Sequence, residues 1–181
     1  MDSIYDIDLY NPIKDDLERF KQDFVLAPEL WTKFTISDLV GVDFSKWETI
    51  KLMNDGEFSD KLSDIPTDCG GIYVYCIEPQ IIPNVGIYIM YIGKATKTEH
   101  ENLQKRVRSY RSCITNDEMR PRLHRLFEKW GEYVYVHYLP VQGLPEVITA
   151  LEDRLIAAFG KPPCNADVRM KSVKKAVRAF N

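Results

Sequence analysis

An alternating stretch at residues 72–77 constrains the fold more than any other part of the chain. Tyr73, Tyr75 and Ile77 occupy one set of alternate positions, and Ile72, Val74 and Cys76 occupy the other. Side chains of a β-strand point to opposite faces in turn, so this pattern predicts a strand. Small residues at 69–71 precede it, and Glu78-Pro79 ends it.

Two more segments have strand character. The first covers about residues 86–92, with Ile87, Ile89 and Tyr91 expected on one face, and Gly93 is expected to stop it. Between these two strands, residues 80–85 include Pro83 and Asn84, which favour a hairpin loop. A third strand is predicted over residues 132–138 from its alternation.

Helical periodicity appears in four segments of the same half of the chain. They are residues 99–111, residues 117–130 with Pro121 in the first turns, residues 145–159 before Gly160, and a basic helix around 172–180. The order of elements predicts an α+β fold, in which helices flank a small three-stranded antiparallel sheet over residues 69–181.

Residues 1–68 are predicted to form a helical, acidic N-terminal extension. Asn11 can cap a helix that begins at Pro12 and places Ile13, Leu17, Phe20 and Phe24 on one face. Its apolar residues indicate a packed element, which folds onto the rest of the chain or forms part of a homodimer contact. An autoinhibitory position over the functional site is the alternative.

Charge is distributed unevenly along the 181 residues. The whole chain has a formal net charge of −3, yet residues 1–70 carry −9, residues 94–130 carry +5 and residues 161–181 carry +5. Such basic blocks suit a nucleic-acid partner, although ordinary solvated helix faces would look the same.

Composition narrows the class of protein further. Hydrophobic residues make up 45% of the chain, which excludes a disordered composition, and no apolar run approaches a membrane span. The acidic start lacks the pattern of a signal peptide, so a soluble cytoplasmic protein is expected. The four cysteines include no C-x-x-C pair and predict no zinc site.

Two charged side chains fall on apolar helix faces. Arg106 lies three residues after Leu103 and four before Tyr110, a spacing that turns it inward. Glu152 lies among the apolar residues of the helix over 145–159, where a carboxylate needs a partner or a metal ion. The alternatives are a surface arginine and a helix-surface ion pair.

With these residues in order, the chain resembles the GIY-YIG nuclease superfamily. The matching pieces are Gly71-Ile72-Tyr73, Tyr91-Ile92-Gly93-Lys94, residues 103–110, residues 151–156 and Pro162-Pro163-Cys164-Asn165. The gap between the two tyrosine motifs is longer than is typical. Tyr110 stands where some members carry histidine. A second Gly-Ile-Tyr at residues 86–88 is too close to Tyr91 for the two to lie on paired strands.

The resemblance implies a divalent-metal-dependent endonuclease that hydrolyses phosphodiester bonds in DNA, of the restriction type or a stand-alone nuclease, with RNA not excluded. Glu152 would hold Mg²⁺ (or Mn²⁺), which acts as a Lewis acid. Arg106 would bind phosphate oxygens, and Tyr73 is the candidate general base. Tyr91 and Tyr110 would hydrogen-bond the nucleophilic water or a phosphate oxygen.

Further residues complete this hypothesis. Lys94, Lys105, Arg108 and Arg111 are expected to bind substrate, and Gly71, Gly93 and Asn165 to shape the site. The C-terminal residues Lys171, Lys174, Lys175 and Arg178 would extend the basic face. A catalytically inactive nucleic-acid-binding or interaction module on the same fold is the alternative, and Tyr73 and Tyr91 would then be plain strand aromatics.

If the basic blocks contact the DNA backbone, binding releases counterions. We therefore expect the affinity for duplex DNA to fall steeply as the salt concentration rises, which fluorescence anisotropy at a series of NaCl concentrations measures. A flat response between low and physiological salt would show that these blocks do not touch phosphates.

Overall fold

A computed structural model describes residue 24 and residues 26–36, 42–82, 85–115 and 120–166 of the chain. The helices predicted from Pro12 and around residues 172–180 lie outside these ranges. The same holds for the loop residues Pro83 and Asn84 and for the basic side chains of the C-terminal block.

An antiparallel sheet forms the centre of the described structure. Its strands are β1 (Glu48–Lys51), β4 (Gly70–Ile77), β5 (Tyr88–Ala95) and β6 (Val134–Val141), and their order is β1-β6-β4-β5. The three predicted strands thus share one antiparallel sheet within an α+β fold. The prediction of three strands is wrong by one, because β1 adds to the edge of β6.

The additional strand comes from the region predicted to be helical. In β1 only Ile50 is buried, so its sequence carries little hydrophobic alternation, and its place is set by pairing of Ile50 with Val136. A second sheet pairs β2 (Met53–Asn54) with β3 (Glu57–Phe58). The described part of residues 1–68 therefore contains strands as well as the short helix α1 (Pro28–Lys33) and 3-10 turns at Phe44–Lys46 and Asp60–Asp64.

The other helices follow the predicted order with shifted ends. They are α2 (Leu103–Arg108), α3 (Ser112–Thr115), α4 (Pro121–Trp130) and α5 (Pro145–Ala158), with 3-10 turns at Ser109–Arg111 and Gly131–Tyr133. The helix predicted from residue 99 begins at Leu103, because Asn102 caps it by accepting a hydrogen bond from the Lys105 amide. Pro121 is the first residue of its helix rather than an interior one.

Each face of the sheet has its own hydrophobic core. Tyr73 and Tyr75 belong to the core that contains α2 and α4, whereas Ile72, Val74 and Cys76 belong to the core under α5. The predicted alternation of β4 is therefore confirmed.

Strand β5 departs from the predicted pattern. A bulge makes Tyr75 pair with Tyr91 and Cys76 pair with Ile89, so that Met90 is the extra residue. Ile89 and Tyr91 consequently pack against opposite cores, which corrects the expectation that they share a face. Gly93 also does not end the strand, because it pairs with Tyr73 and the strand continues to Ala95.

Residues before 69 contribute directly to the core of the tyrosine face. Leu52, Leu62 and Ile65 are almost fully buried in the same cluster as Tyr73. Across the described ranges, no helix is both long and apolar enough to cross a membrane.

Deleting residues 1–68 removes β1 and these three core side chains together. Each buried leucine or isoleucine contributes roughly 2–5 kcal/mol to folding, so we expect the truncated chain to be insoluble or unfolded. Circular dichroism and size-exclusion chromatography of the 69–181 fragment, beside the full chain, measure this. A folded fragment that cuts DNA faster than the full chain would instead establish the autoinhibitory role of residues 1–68.

Candidate active site

Three tyrosine hydroxyls meet on one face of the sheet. Tyr73 on β4, Tyr91 on β5 and Tyr110 in the 3-10 turn after α2 form the group. The Tyr110 hydroxyl lies 2.6 Å from that of Tyr73 and 3.1 Å from that of Tyr91. The tyrosines predicted from two strands and a helix are therefore joined by hydrogen bonds through Tyr110.

Glycine at position 93 makes room for this arrangement. A Cβ atom there would lie 2.5 Å from both the Cζ atom and the hydroxyl of Tyr73. Gly71 has a comparable constraint, since a Cβ would collide with the carbonyl oxygen of Leu139 on the neighbouring strand. Gly93 therefore lets the Tyr73 ring lie against β5, and Gly71 lets β4 approach β6 closely.

Arg106 lies beside the tyrosines, as its spacing predicted. Its Cζ atom is 5.7 Å from the Tyr110 ring centre, and a nitrogen lies 3.6 Å from a carboxylate oxygen of Glu101. Burial lowers the pKa of Arg106, but the nearby Tyr73 and Tyr110 more than offset that effect and raise it overall. The guanidinium therefore stays charged beside the three hydroxyls.

Arg120 is a member of the site that the sequence motifs did not identify. Its Nη1 donates a hydrogen bond of 2.7 Å to the Tyr110 hydroxyl, and its Cζ lies 4.7 Å from the centre of that ring. The residue directly precedes Pro121 at the start of α4. Its only sequence signal was membership of the basic block over residues 94–130.

Tyr73 and Tyr91 differ in how deeply they are buried, and this difference limits the proton-transfer role that each can have. Tyr73 is 0% exposed, and desolvation, followed by the influence of Tyr110, raises its pKa well above the usual value. Tyr91 is partly buried, and its pKa is also raised, by burial first and by Tyr110 second. Tyr73 can act as a general base only if its proton has an exit, and the hydroxyls of Tyr110 and Tyr91 supply one.

A cleft of about 530 Å³ opens at the edge of the sheet next to β5. Its lining residues include Tyr91, Arg120, Arg122, Glu152 and Asn165. Tyr91 thus connects the buried hydroxyl cluster to an open space that also contains a carboxylate and two guanidinium groups.

Asn165 binds the backbone of β5 at the edge of the sheet, next to the cleft. Its side-chain oxygen accepts from the Ile92 amide at 2.9 Å, and its amide nitrogen donates to the Ile92 carbonyl at 2.8 Å. The amide of Cys164 also donates to the Met90 carbonyl at 2.8 Å. Arg122 Nη1 in turn donates to the Asn165 carbonyl at 2.8 Å. These bonds satisfy an otherwise open strand edge and set the backbone of β5 beside the cleft.

Glu152 supplies the carboxylate of the cleft. It is only 8% exposed, and one oxygen lies 3.4 Å from the Lys94 ammonium, which also donates to the Thr149 hydroxyl at 2.7 Å. The neighbouring ammonium offsets part of the cost of burying this carboxylate. Glu152 and Lys94, predicted from separate motifs, are therefore in direct contact.

The donor set determines which metal could bind here. Within the described ranges, no group of three or more His, Cys, Asp or Glu side chains is arranged to hold a metal ion. One carboxylate in an open cleft fits Mg²⁺, which keeps several waters and takes ligands from substrate phosphate.

The outer basic residues lie apart from the cleft. Lys105 and Arg108 are exposed on α2, and Arg111 pairs with Glu57 of β3 at 3.0 Å. None of the three lines the cleft. All three are exposed, and their role in binding substrate stays a prediction.

Comparison with known proteins found no match: no family model, no curated protein and no solved structure is similar to this chain. The resemblance to GIY-YIG nucleases rests on the sequence motifs described above.

Replacing Gly93 by alanine tests the packing that holds the tyrosine cluster. The added methyl group must displace the Tyr73 ring, so we expect a loss of about 1–3 kcal/mol in the free energy of unfolding, measured by urea denaturation. Gly143→Ala is the control, because the nearest atom to its Cβ is a Val141 methyl at 3.5 Å. Equal stability of the two variants would contradict the close approach of Tyr73 to β5.

Proposed function

We propose that the protein is a divalent-metal-dependent endonuclease of the GIY-YIG type that hydrolyses phosphodiester bonds in DNA. One observation carries the proposal: Tyr91 and Glu152 line a single cleft, and Tyr91 is linked through Tyr110 to Tyr73 beside Arg106. These residues come from four separated segments of the chain. They bring a hydrogen-bonded chain of hydroxyls and a buried carboxylate to one cleft.

Hydrolysis of a phosphodiester needs an activated water, neutralisation of phosphate charge and a stabilised leaving oxygen. Glu152 is the residue that would hold Mg²⁺ or Mn²⁺, and the bound ion supplies Lewis-acid stabilisation of the phosphate and the leaving oxygen. Lys94, 3.4 Å from Glu152, places an ammonium group beside that carboxylate. The guanidinium groups of Arg120 and Arg122 line the cleft and suit it to a phosphate group.

The tyrosines provide the proton chemistry. Tyr91 lines the cleft, so its hydroxyl is the member of the cluster placed to hydrogen-bond the nucleophilic water. One tyrosine of the cluster must first lose its proton to solvent through Tyr91. The resulting phenolate then accepts the proton of the water, directly when it is Tyr91 and through the chain of hydroxyls when it is Tyr73. Arg106 and Arg120 flank the Tyr110 ring, and their charges stabilise phenolate character that develops in the chain.

Arg106 has a second capacity in this reaction. Its guanidinium is planar, remains protonated and can form paired hydrogen bonds with phosphate oxygens. The side chain is 31% exposed, which leaves part of it open to a ligand. Release from Glu101, which is itself 37% exposed, would free it for that contact.

The proposed partner is DNA, and the action is that of a restriction-type or stand-alone nuclease in the cytoplasm. No zinc-binding cysteine pair occurs in the sequence to mark a separate recognition finger. The same chemistry cleaves RNA, so a test must offer both polymers. The first measurement is incubation of the full chain with plasmid DNA and with RNA, with and without Mg²⁺ or Mn²⁺.

Replacing Glu152 by glutamine removes the metal-binding charge while keeping the shape of the side chain. We expect cleavage to fall by about a hundredfold or more, since a Lewis-acid metal contributes several kcal/mol to the transition state. DNA affinity measured in Ca²⁺ should change little.

Glu146→Gln is the matched control, because this exposed carboxylate lies in the first turn of the same helix. Cleavage that survives in Glu152→Gln would exclude Glu152 as the metal ligand. DNA binding by the wild type without any metal-dependent cleavage would favour the inactive binding module instead.

A further inference from the structure

Arg120 carries an inference beyond the motif residues. Arg106 and Arg120 approach the same tyrosine ring, with Cζ-to-centroid distances of 5.7 and 4.7 Å. The two arginines differ in whether a carboxylate lies beside them. Arg106 has Glu101 at 3.6 Å, whereas among the described residues no carboxylate oxygen lies within 4.0 Å of an Arg120 nitrogen.

Arg120 has binding capacity beyond the contacts that the described residues make with it. The guanidinium has five N–H donors in a planar fork, and within the described chain Arg120 makes a side-chain hydrogen bond only with Tyr110. The side chain is half-buried and lines the cleft that contains Glu152. A partly desolvated cation on a cleft wall is best satisfied by an anionic ligand.

Arg122 shows what a structural arginine looks like in the same cleft. It donates to the carbonyl oxygens of Asn165 at 2.8 Å and of Pro163 at 3.3 Å, which ties the chain after α5 to α4. Its donors hold backbone, whereas those of Arg120 face the hydroxyl cluster and the cleft. Arg122 therefore holds the backbone of the neighbouring segment, whereas Arg120 is placed to bind a ligand.

We propose that Arg120 binds a phosphate group of the substrate in the cleft and at the same time orients the Tyr110 hydroxyl. The assignment to a nucleic-acid phosphate rests on the proposed endonuclease function, whereas anion binding by Arg120 does not. With its oxygen held by Arg120, Tyr110 directs its single hydroxyl proton to Tyr73 or to Tyr91. Arrival of a phosphate at Arg120 thereby couples substrate binding to the tyrosine chain.

The first test uses inorganic phosphate and the full chain. Titration is followed by NMR of ¹⁵N-labelled arginine side chains, and the Arg120 Nε–Hε signal is assigned from its loss in Arg120→Gln and Arg120→Lys. We expect phosphate to shift that signal in the wild type. Shifts confined to other arginines would overturn the proposal.

The second test measures cleavage of duplex DNA by the same variants. Arg120→Gln should lower kcat about 100-fold and raise KM, and Arg120→Lys, which keeps a charge and a donor, should recover part of the loss. Lys46→Gln is the control, because it also removes one positive charge, from an exposed residue that does not line the cleft. A wild-type kcat and KM in Arg120→Gln would overturn the proposal even if its melting temperature fell.

The two measurements separate the two proposals. A wild type that shifts its Arg120 signal with phosphate but never cleaves DNA or RNA would refute the endonuclease and leave the anion site standing. Cleavage that depends on Glu152 but not on Arg120 would refute the role of Arg120 alone. If Arg120→Gln fails to fold, Arg120→Lys and the wild-type titration still decide the matter.

Discussion

The site depends on the hydroxyl group of Tyr110. Tyr73, Tyr91 and Arg120 all lie within 3.1 Å of this one oxygen, and they come from two strands and the start of α4. Tyr73 joins this cluster by packing closely against Gly93 on the neighbouring strand, where a Cβ atom would lie 2.5 Å from the Tyr73 hydroxyl. A side chain at this position of β5 would therefore displace the Tyr73 ring from the cluster.

Residues after α5 connect the edge of the sheet at β5 to the cleft. Asn165 and Cys164 hydrogen-bond the outer backbone of β5 at Ile92 and Met90, on either side of Tyr91. An edge strand with open donors and acceptors would be free to pair with another chain. Capping this edge with residues after α5 holds Tyr91 at the cleft and keeps Glu152, on α5 itself, nearby.

Much of the fold could be predicted because its signals are local. The alternation of β4 specified which tyrosines share a core, and the spacing from Leu103 to Tyr110 turned Arg106 inward. Other features depend on tertiary contacts. β1 has one buried residue and gains its place from pairing with β6, and the bulge at Met90 shifts a register that periodicity alone cannot detect.

The residues of the candidate site likewise divide into those that sequence motifs identified and those that tertiary contacts place there. Tyr73, Tyr91, Arg106, Glu152 and Asn165 were found through motif order, which a single sequence displays. Arg120 precedes a proline, has no periodic neighbour, and meets Tyr110 only because α4 packs beside α3. The role of Arg111 stays a prediction: its charge suggested substrate binding, and in the fold it pairs with Glu57 on an exposed surface.

Burial, together with the donor role of Arg120, favours a negative charge of the cluster on Tyr91, next to the cleft. Arg120 can only donate, so the Tyr110 oxygen accepts there and its single proton goes to one tyrosine, while the other tyrosine donates to it. Tyr73 is fully buried, and a phenolate there would bear the largest desolvation cost. Tyr91 borders the cleft; burial and then Tyr110 raise its pKa, and the charge of Arg120 offsets part of that rise. A phenolate in the cluster is therefore favoured on Tyr91, beside the cleft and the charge of Arg120, where it can take the proton of a cleft water directly.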